Sequence, residues 1–414
     1  MPSFRSPPVR WPAMRKPKQP AWVRPMQPRF QPGGSSVVAT LDSLGPLKPL
    51  TPCSEHSMID RKNRYGRTAA RNHDADGLAR RPSSATVDIH AHIVIPQAAK
   101  HAQPHVDISR IPLAHFADVA TKEINAQQEK DVSEVMTTID RRLFDLDKMG
   151  IDVQVVAPAP GQCYYSIDAK IAEHAHRLAN EGVVEYCSRK PDRFVGLGVV
   201  TLQEPEIAVR ELEYVMRDLK LKGVEILTNV DGQELSDPKF RPFFAKAEAL
   251  GAFIMMHPNG FTHGERLTHF YFNNVLGNPL DTTLALHNLI FSGTLARFPD
   301  LKLMAVHGGG YLPGYSGRID HAWGARQDCH GDLPLPPTTY LRQVYLDTVV
   351  FSYHQLAYLI DVFGPDRIVM GTDYPFDMAE YNPIGHVAGV QGMDEATLAQ
   401  IAGGNAARVL GLDI

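Results

Sequence analysis

The chain has 414 residues, 43% of them hydrophobic and 21% charged, with a formal net charge of −4 and a mean hydropathy of −0.21. This balance excludes a fibrous repeat or a wholly disordered chain, and no run approaches the roughly 18 apolar residues of a membrane helix. A pI of 6.5 gives no reason to expect nucleic-acid binding. Cys53, Cys163, Cys187 and Cys329 stand far apart with no CxxC spacing. Neither a disulfide framework nor a zinc ribbon is expected, and a reducing, cytoplasmic setting is the default.

Residues 1–85 differ from the rest. They hold 13 of the 32 prolines and carry about +10, which leaves about −14 on the remainder. No helical or strand period persists there, so the segment is expected to be a disordered, basic, Pro-rich extension. A targeting peptide is one reading, but eight prolines in the first 29 residues oppose an amphipathic helix. A partner-binding arm and a leader without function are the others.

From Thr86 onward, eight short apolar runs are predicted as strands: residues 86–93, 152–159, 194–200, 223–230, 253–258, 301–307, 344–350 and 368–373. Near-continuous Val, Ile and Met suit strands buried on both faces of a parallel sheet. Residues 168–188, 204–221, 281–297 and 355–363 carry apolar residues at helical spacing. In the second of these, Val209, Leu212, Val215, Met216 and Leu219 form one face. The alternation predicts an α/β fold, a TIM (β/α)8 barrel forming one catalytic domain over residues 86–414. An open doubly wound sheet is the runner-up. It wants a Gly-rich phosphate turn after the first strand, where this chain has HAHIVIP.

The first run ends VDIHAH. Residues i and i+2 of a strand share a face, so His90 and His92 can reach one metal ion. A second HxH, His174 and His176, lies in helical sequence, where i and i+2 diverge by about 200°. That pair is read as ordinary surface histidine. His257 closes the fifth run (FIMMHP), His307 the sixth (LMAVHGGG) and Asp373 the eighth (IVMGTDYP). In a barrel these groups collect at the carboxyl rim, where barrel enzymes keep their chemistry. Taken singly, each strand-end His has a bland reading as a hydrogen-bonded structural residue, and Asp373 as a turn cap. Together they predict a metal site. His90, His92 and His257 as neutral imidazoles, with the Asp373 carboxylate, suit Zn2+, with Mn2+ as the alternative. A water of lowered pKa would fill the remaining position. His307 is left as a nearby general acid/base.

The order HxH, HP, HGGG, TDYP resembles the amidohydrolase superfamily. More narrowly it resembles the aminocarboxymuconate-semialdehyde decarboxylase-like branch, the amidohydrolase-related metal-dependent decarboxylases. The motifs are DIHAH, MGIDVQVV at 149–156, HP at 257, HGGGYLPGYSGRIDHAW at 307–323 and GTDYPF at 371–376. The resemblance implies a TIM barrel with one divalent metal, often zinc, and no organic cofactor. It places His90, His92, His257 and Asp373 at ligand positions and His307 at the acid/base position, with Asp373 as the alternative proton donor. It implies non-oxidative loss of CO2 from an unsaturated or aromatic carboxylate, such as an aminocarboxymuconate semialdehyde or a hydroxybenzoate-like compound. Hydrolysis or hydration by the same metal-bound water is the rival reaction.

Binuclear members carry a lysine at the end of the fourth strand; GVEILTNV has none there, which favours one metal. His90, rather than a glutamate, opens the HxH, as in the aminocarboxymuconate type. Arg318 occupies the position of a family arginine that reaches the neighbouring subunit's site, which implies a homodimer acting on a small-molecule carboxylate; an ordinary surface salt bridge is the other reading of Arg318. The family's second arginine, between strands one and two, has no counterpart in residues 127–135. Lys130 is the only cation offered there. Asn259, His263 and Arg266 follow His257 and are candidates to line the pocket, with a solvated loop histidine as the other reading of His263. Tyr164 and Tyr165 follow the second strand and would either stack on a flat substrate or serve as core or lid residues. The non-enzymatic alternative is a silent barrel whose tail recruits partners; the intact rim set speaks against it. Neither nucleic acid nor membrane is an expected partner.

Overall fold

A strand with both faces in the core needs apolar residues at every position, and each of the eight predicted runs forms one. The computed structural model describes residues 78–414; the predicted tail up to residue 77 lies outside them. The barrel strands are β1 (Val87–Ile93), β2 (Val153–Pro158), β3 (Phe194–Gly196), β4 (Gly223–Leu227), β5 (Phe253–His257), β6 (Lys302–Ala305), β7 (Tyr345–Asp347) and β8 (Ile368–Val369).

Every neighbouring pair within the ladders β1–β3 and β4–β8 is parallel. Two further contacts join these ladders into a closed barrel. Parallel bridges link Gly198 to Val224 and Ala91 to Tyr374. Backbone bonds from Glu225 N to Gly198 O (2.8 Å) and from Ile89 N to Met370 O (2.9 Å) support the same two seams.

The interior of the barrel is a layer of Val87, Ile89, Val155, Phe253, Met255, Met304 and Tyr345. Ala406, Val409 and Leu410 join that cluster from the amino-terminal mouth. There Lys302 and Lys222 bond the carbonyls of Val409 and Gly411. One register irregularity matters for the site. The pairing of β1 with β2 slips by one residue between Asp88 and Ala91. Such a bulge resets the alternation of faces. It lets Val87 and Ile89 fill the lower interior while His90 and His92 face the same interior above them.

The helix Ala169–Ser188 is capped by Asp168, whose side chain accepts from Lys170 N and Ile171 N. Pro205–Arg217 buries Ile207, Ala208, Leu212 and Val215. Three expectations need correction. His176 is fully buried rather than at the surface, bonded to Thr201 Oγ1 (2.9 Å) and Cys163 O (2.8 Å). The divergence that separates His174 from His176 leaves the first exposed and turns the second inward. The predicted strand ends at His307 and Asp373 lie beyond the ladders, because both residues adopt left-handed backbone (φ 55° and 61°). Of the expected disordered extension, residues 78–85 are described. Leu78–Arg80 forms a 3-10 turn, and Arg81 pairs with Asp152 at the start of β2.

Candidate metal centre and active site

Four side chains from three parts of the barrel meet at one point. His90 and His92 come from β1, His257 from the end of β5, and Asp373 from the segment after β8. Their ligand atoms all lie within 4.8 Å of one another. Asp373 Oδ1 is 3.4 Å from His90 Nε2, 3.2 Å from His92 Nε2 and 3.9 Å from His257 Nε2. The Asp373 loop is held against β1 by its own backbone. Asp373 N donates to His90 O (2.8 Å), while Thr372 N and Oγ1 donate to the buried Asp88 carboxylate (3.0 and 2.6 Å).

All three imidazoles present Nε2 to the centre, because each Nδ1 is directed elsewhere. His90 Nδ1 donates to Asp347 Oδ2 at 2.7 Å. His257 Nδ1 donates to Pro258 O at 2.6 Å. His92 Nδ1 faces Glu225 Oε2 at 3.4 Å. A carboxylate or carbonyl only accepts, so the Nδ1 proton leaves the Nε2 lone pair free.

Burial favours a protonated Asp373, but the imidazoles of His90, His257, His307 and His92 crowded around it hold it well below the usual carboxylate range. Burial brings His257 down to about 3, so it is neutral at any working pH. Burial also lowers His92, but Glu225 and Asp373 overcome this and raise it to about 9. His257 Nε2 and Asp373 Oδ1 are buried without a hydrogen-bond partner among the described residues. Buried polar atoms that converge unpaired are costly unless a cation meets them. Three imidazoles and a carboxylate fit a divalent ion such as Zn2+ or Mn2+.

His307 stands beside this set, its Nε2 3.2 Å from Asp373 Oδ2. Burial lowers it, but the Asp373 hydrogen bond and charge raise it above its ordinary value. Thus the five predicted rim residues are brought together. The remaining predicted site residues fare differently. Asn259, Tyr164 and Tyr165 line a cavity of about 330 Å³ that also holds Arg110, Thr228 and Asn229. None of the five rim residues lines it, but Asn259 stands two residues after His257 and Leu227 is the β4 partner of His257. Lys130 is not brought there. It is exposed on the helix Val119–Thr137, while Gln128, on another face of that helix, is buried. His263 and Arg266 are exposed. Arg318, on the helix Ser316–Ala325, is exposed and has no ion pair or hydrogen bond among the described residues.

Sequence reasoning missed Asp347, Glu225 and Arg110. The first two are lone acids inside apolar strands (VYLDTV, GVEIL), a signal in itself, since a buried charge needs a partner. Arg110 lies in the connection between β1 and β2. It donates to Ser166 O at 2.6 Å and pairs with Asp231, both lining the cavity.

Comparison with known proteins shows the family and the fold. The Amidohydrolase family profile matches residues 87–412. A 2-amino-3-carboxymuconate-6-semialdehyde decarboxylase from Dictyostelium discoideum is 30% identical over 332 residues, covering 80% of this chain and 92% of that protein. Among solved structures, 5-carboxyvanillate decarboxylase from Sphingomonas paucimobilis superposes with a TM-score of 0.69 at 25% identity, covering 80% of this chain and 99% of that one. A dihydroxybenzoic acid decarboxylase from Polaromonas sp. JS666, solved with bound manganese, shares the fold with a TM-score of 0.66 at 22% identity, covering 80% and 98%.

Proposed function

Because the chain belongs to the Amidohydrolase family, we propose that it is a metal-dependent, non-oxidative decarboxylase. Its substrate would be an unsaturated or aromatic carboxylate, an aminocarboxymuconate semialdehyde or a hydroxybenzoate-like compound. The convergence of His90, His92, His257 and Asp373 on one point carries this reading. The relatives named above are decarboxylases, which supports the choice of reaction.

His90, His92, His257 and Asp373 would hold one divalent ion. Zinc suits the donor set, and manganese in a structural relative makes it the second candidate. When bound, such an ion supplies a Lewis acid that polarises a substrate oxygen. His307 holds a proton next to Asp373 and delivers it to the carbon that loses CO2. The carbon–carboxylate bond breaks, CO2 leaves, and the His307 proton takes its place. Asn259 and the two tyrosines shape the cavity for a flat substrate, and Arg110 supplies the cation there that Lys130 does not.

Arg318 is the proposed second carboxylate clamp, reaching the neighbouring subunit of a homodimer. Its exposed, unpaired guanidinium suits that role. Exposed apolar side chains lie close in sequence: Tyr311 and Tyr315 precede it, and Tyr311 Oη bonds the carbonyl of exposed Leu276.

The test is CO2 release. Metal-loaded protein is incubated with carboxymuconate-semialdehyde and hydroxybenzoate compounds. Metal-dependent CO2 from at least one compound is expected. Water incorporation without CO2 would replace decarboxylation by hydrolysis or hydration.

A further inference from the structure

Asp347 ends β7, is fully buried, and uses its two oxygens differently. Oδ2 accepts from His90 Nδ1 at 2.7 Å. Oδ1 accepts from the backbone N–H of Gly308 at 2.8 Å and of Val349 at 3.1 Å. Gly308 follows His307, and both hold left-handed backbone, with φ of 62° and 55°. A non-glycine residue keeps that conformation only where its surroundings fix it. The amide of Gly308 is one such fixed point.

We propose that Asp347 is a positioning residue that ties His90 to the turn aiming His307. One oxygen sets the His90 tautomer and so the atom it offers to the centre. The other anchors the turn, and with it the imidazole 3.2 Å from Asp373. A single buried carboxylate thus couples a ligand on β1 to an acid/base group after β6. The inference rests on the metal-centre reading for the role of His90, but its first test needs neither metal nor turnover.

Asp347→Asn separates the two tasks. Two backbone N–H groups face Oδ1, so the amide oxygen stays with them and Nδ2 faces His90. That N–H donates to Nδ1, which moves the ring proton to Nε2, while the turn keeps its anchor. Asp347→Ala removes both contacts. Imidazole 15N NMR of the metal-free full chain reads the tautomer, Mn2+ titration reads affinity, and turnover is measured at saturating Mn2+. The His90 proton is expected on Nδ1 in the native protein and on Nε2 in Asp347→Asn. Mn2+ affinity of Asp347→Asn should fall by about 10- to 100-fold. At saturating Mn2+, Asp347→Ala should lose about tenfold more turnover than Asp347→Asn. Three results would overturn the proposal: a proton still on Nδ1 in Asp347→Asn, unchanged Mn2+ affinity, or equal turnover in the two variants. If Asp347→Ala does not fold, the tautomer and affinity of Asp347→Asn decide alone. A native protein that binds neither Mn2+ nor Zn2+ overturns the metal-centre reading, and the tautomer measurement still judges Asp347.

Discussion

Burial strips water from the His92 imidazole and favours its neutral form, yet Glu225 and Asp373 push it up to about 9. A ligand imidazole must be neutral, so the ion has to displace that proton. Below about pH 9, binding therefore releases a proton, and apparent affinity rises by about tenfold per pH unit, flattening above it. Mn2+ titrations between about pH 6.5 and 8.5 check this. Affinity independent of pH would contradict the charge assigned to His92. At this scale the sequence is partly legible. His90, His92, His257, His307 and Asp373 stand out because each interrupts or ends an apolar run. Asp347 and Glu225 also interrupt apolar runs, but their roles are not legible, because their partners are fixed by barrel closure. Lys130 misled for the opposite reason. It lies at a suggestive place in the chain, but helical geometry turns it to solvent.

The element that matters most is the turn after β6. His307, Gly308 and Gly309 hold φ of 55°, 62° and 77° in succession. A Cβ on Gly308 would lie 2.4 Å from Val350 Cγ1, in a backbone conformation that L-residues avoid. Gly308→Ala is expected to destabilise the fold by about 1–3 kcal/mol and to lower turnover by shifting His307. Thermal unfolding and turnover measured together check this, and a variant unchanged in both would contradict it. The strands are legible as apolar runs, but the ends of β6 and β8 are not, because the left-handed His307 and Asp373 lie beyond the ladders without any change in hydrophobicity that marks it. The helix Val119–Thr137 was not predicted at all. It buries only Thr121, Gln128 and Met136, so it has no apolar stripe to betray it.

Across the whole molecule, barrel closure brings residues nearly 300 positions apart into one centre, as with His90 and Asp373. Alternation of strands and helices makes that architecture legible; the proposed partner surface rests on Arg318. If Arg318 completes a neighbouring site, mixing inactive Arg318→Ala and Asp373→Ala chains should restore about a quarter of native activity, through heterodimers with one complete site each. A mixture no more active than its parts would contradict that arrangement. Both the proposed reaction and the role of Asp347 rest on four side chains, His90, His92, His257 and Asp373, holding one ion. The most direct measurement is metal content per chain after dialysis against Mn2+ or Zn2+, for the native protein and Asp373→Ala. One ion per native chain is expected, with loss or severe weakening of binding in Asp373→Ala. No bound ion, two ions per chain, or full retention in Asp373→Ala would contradict it.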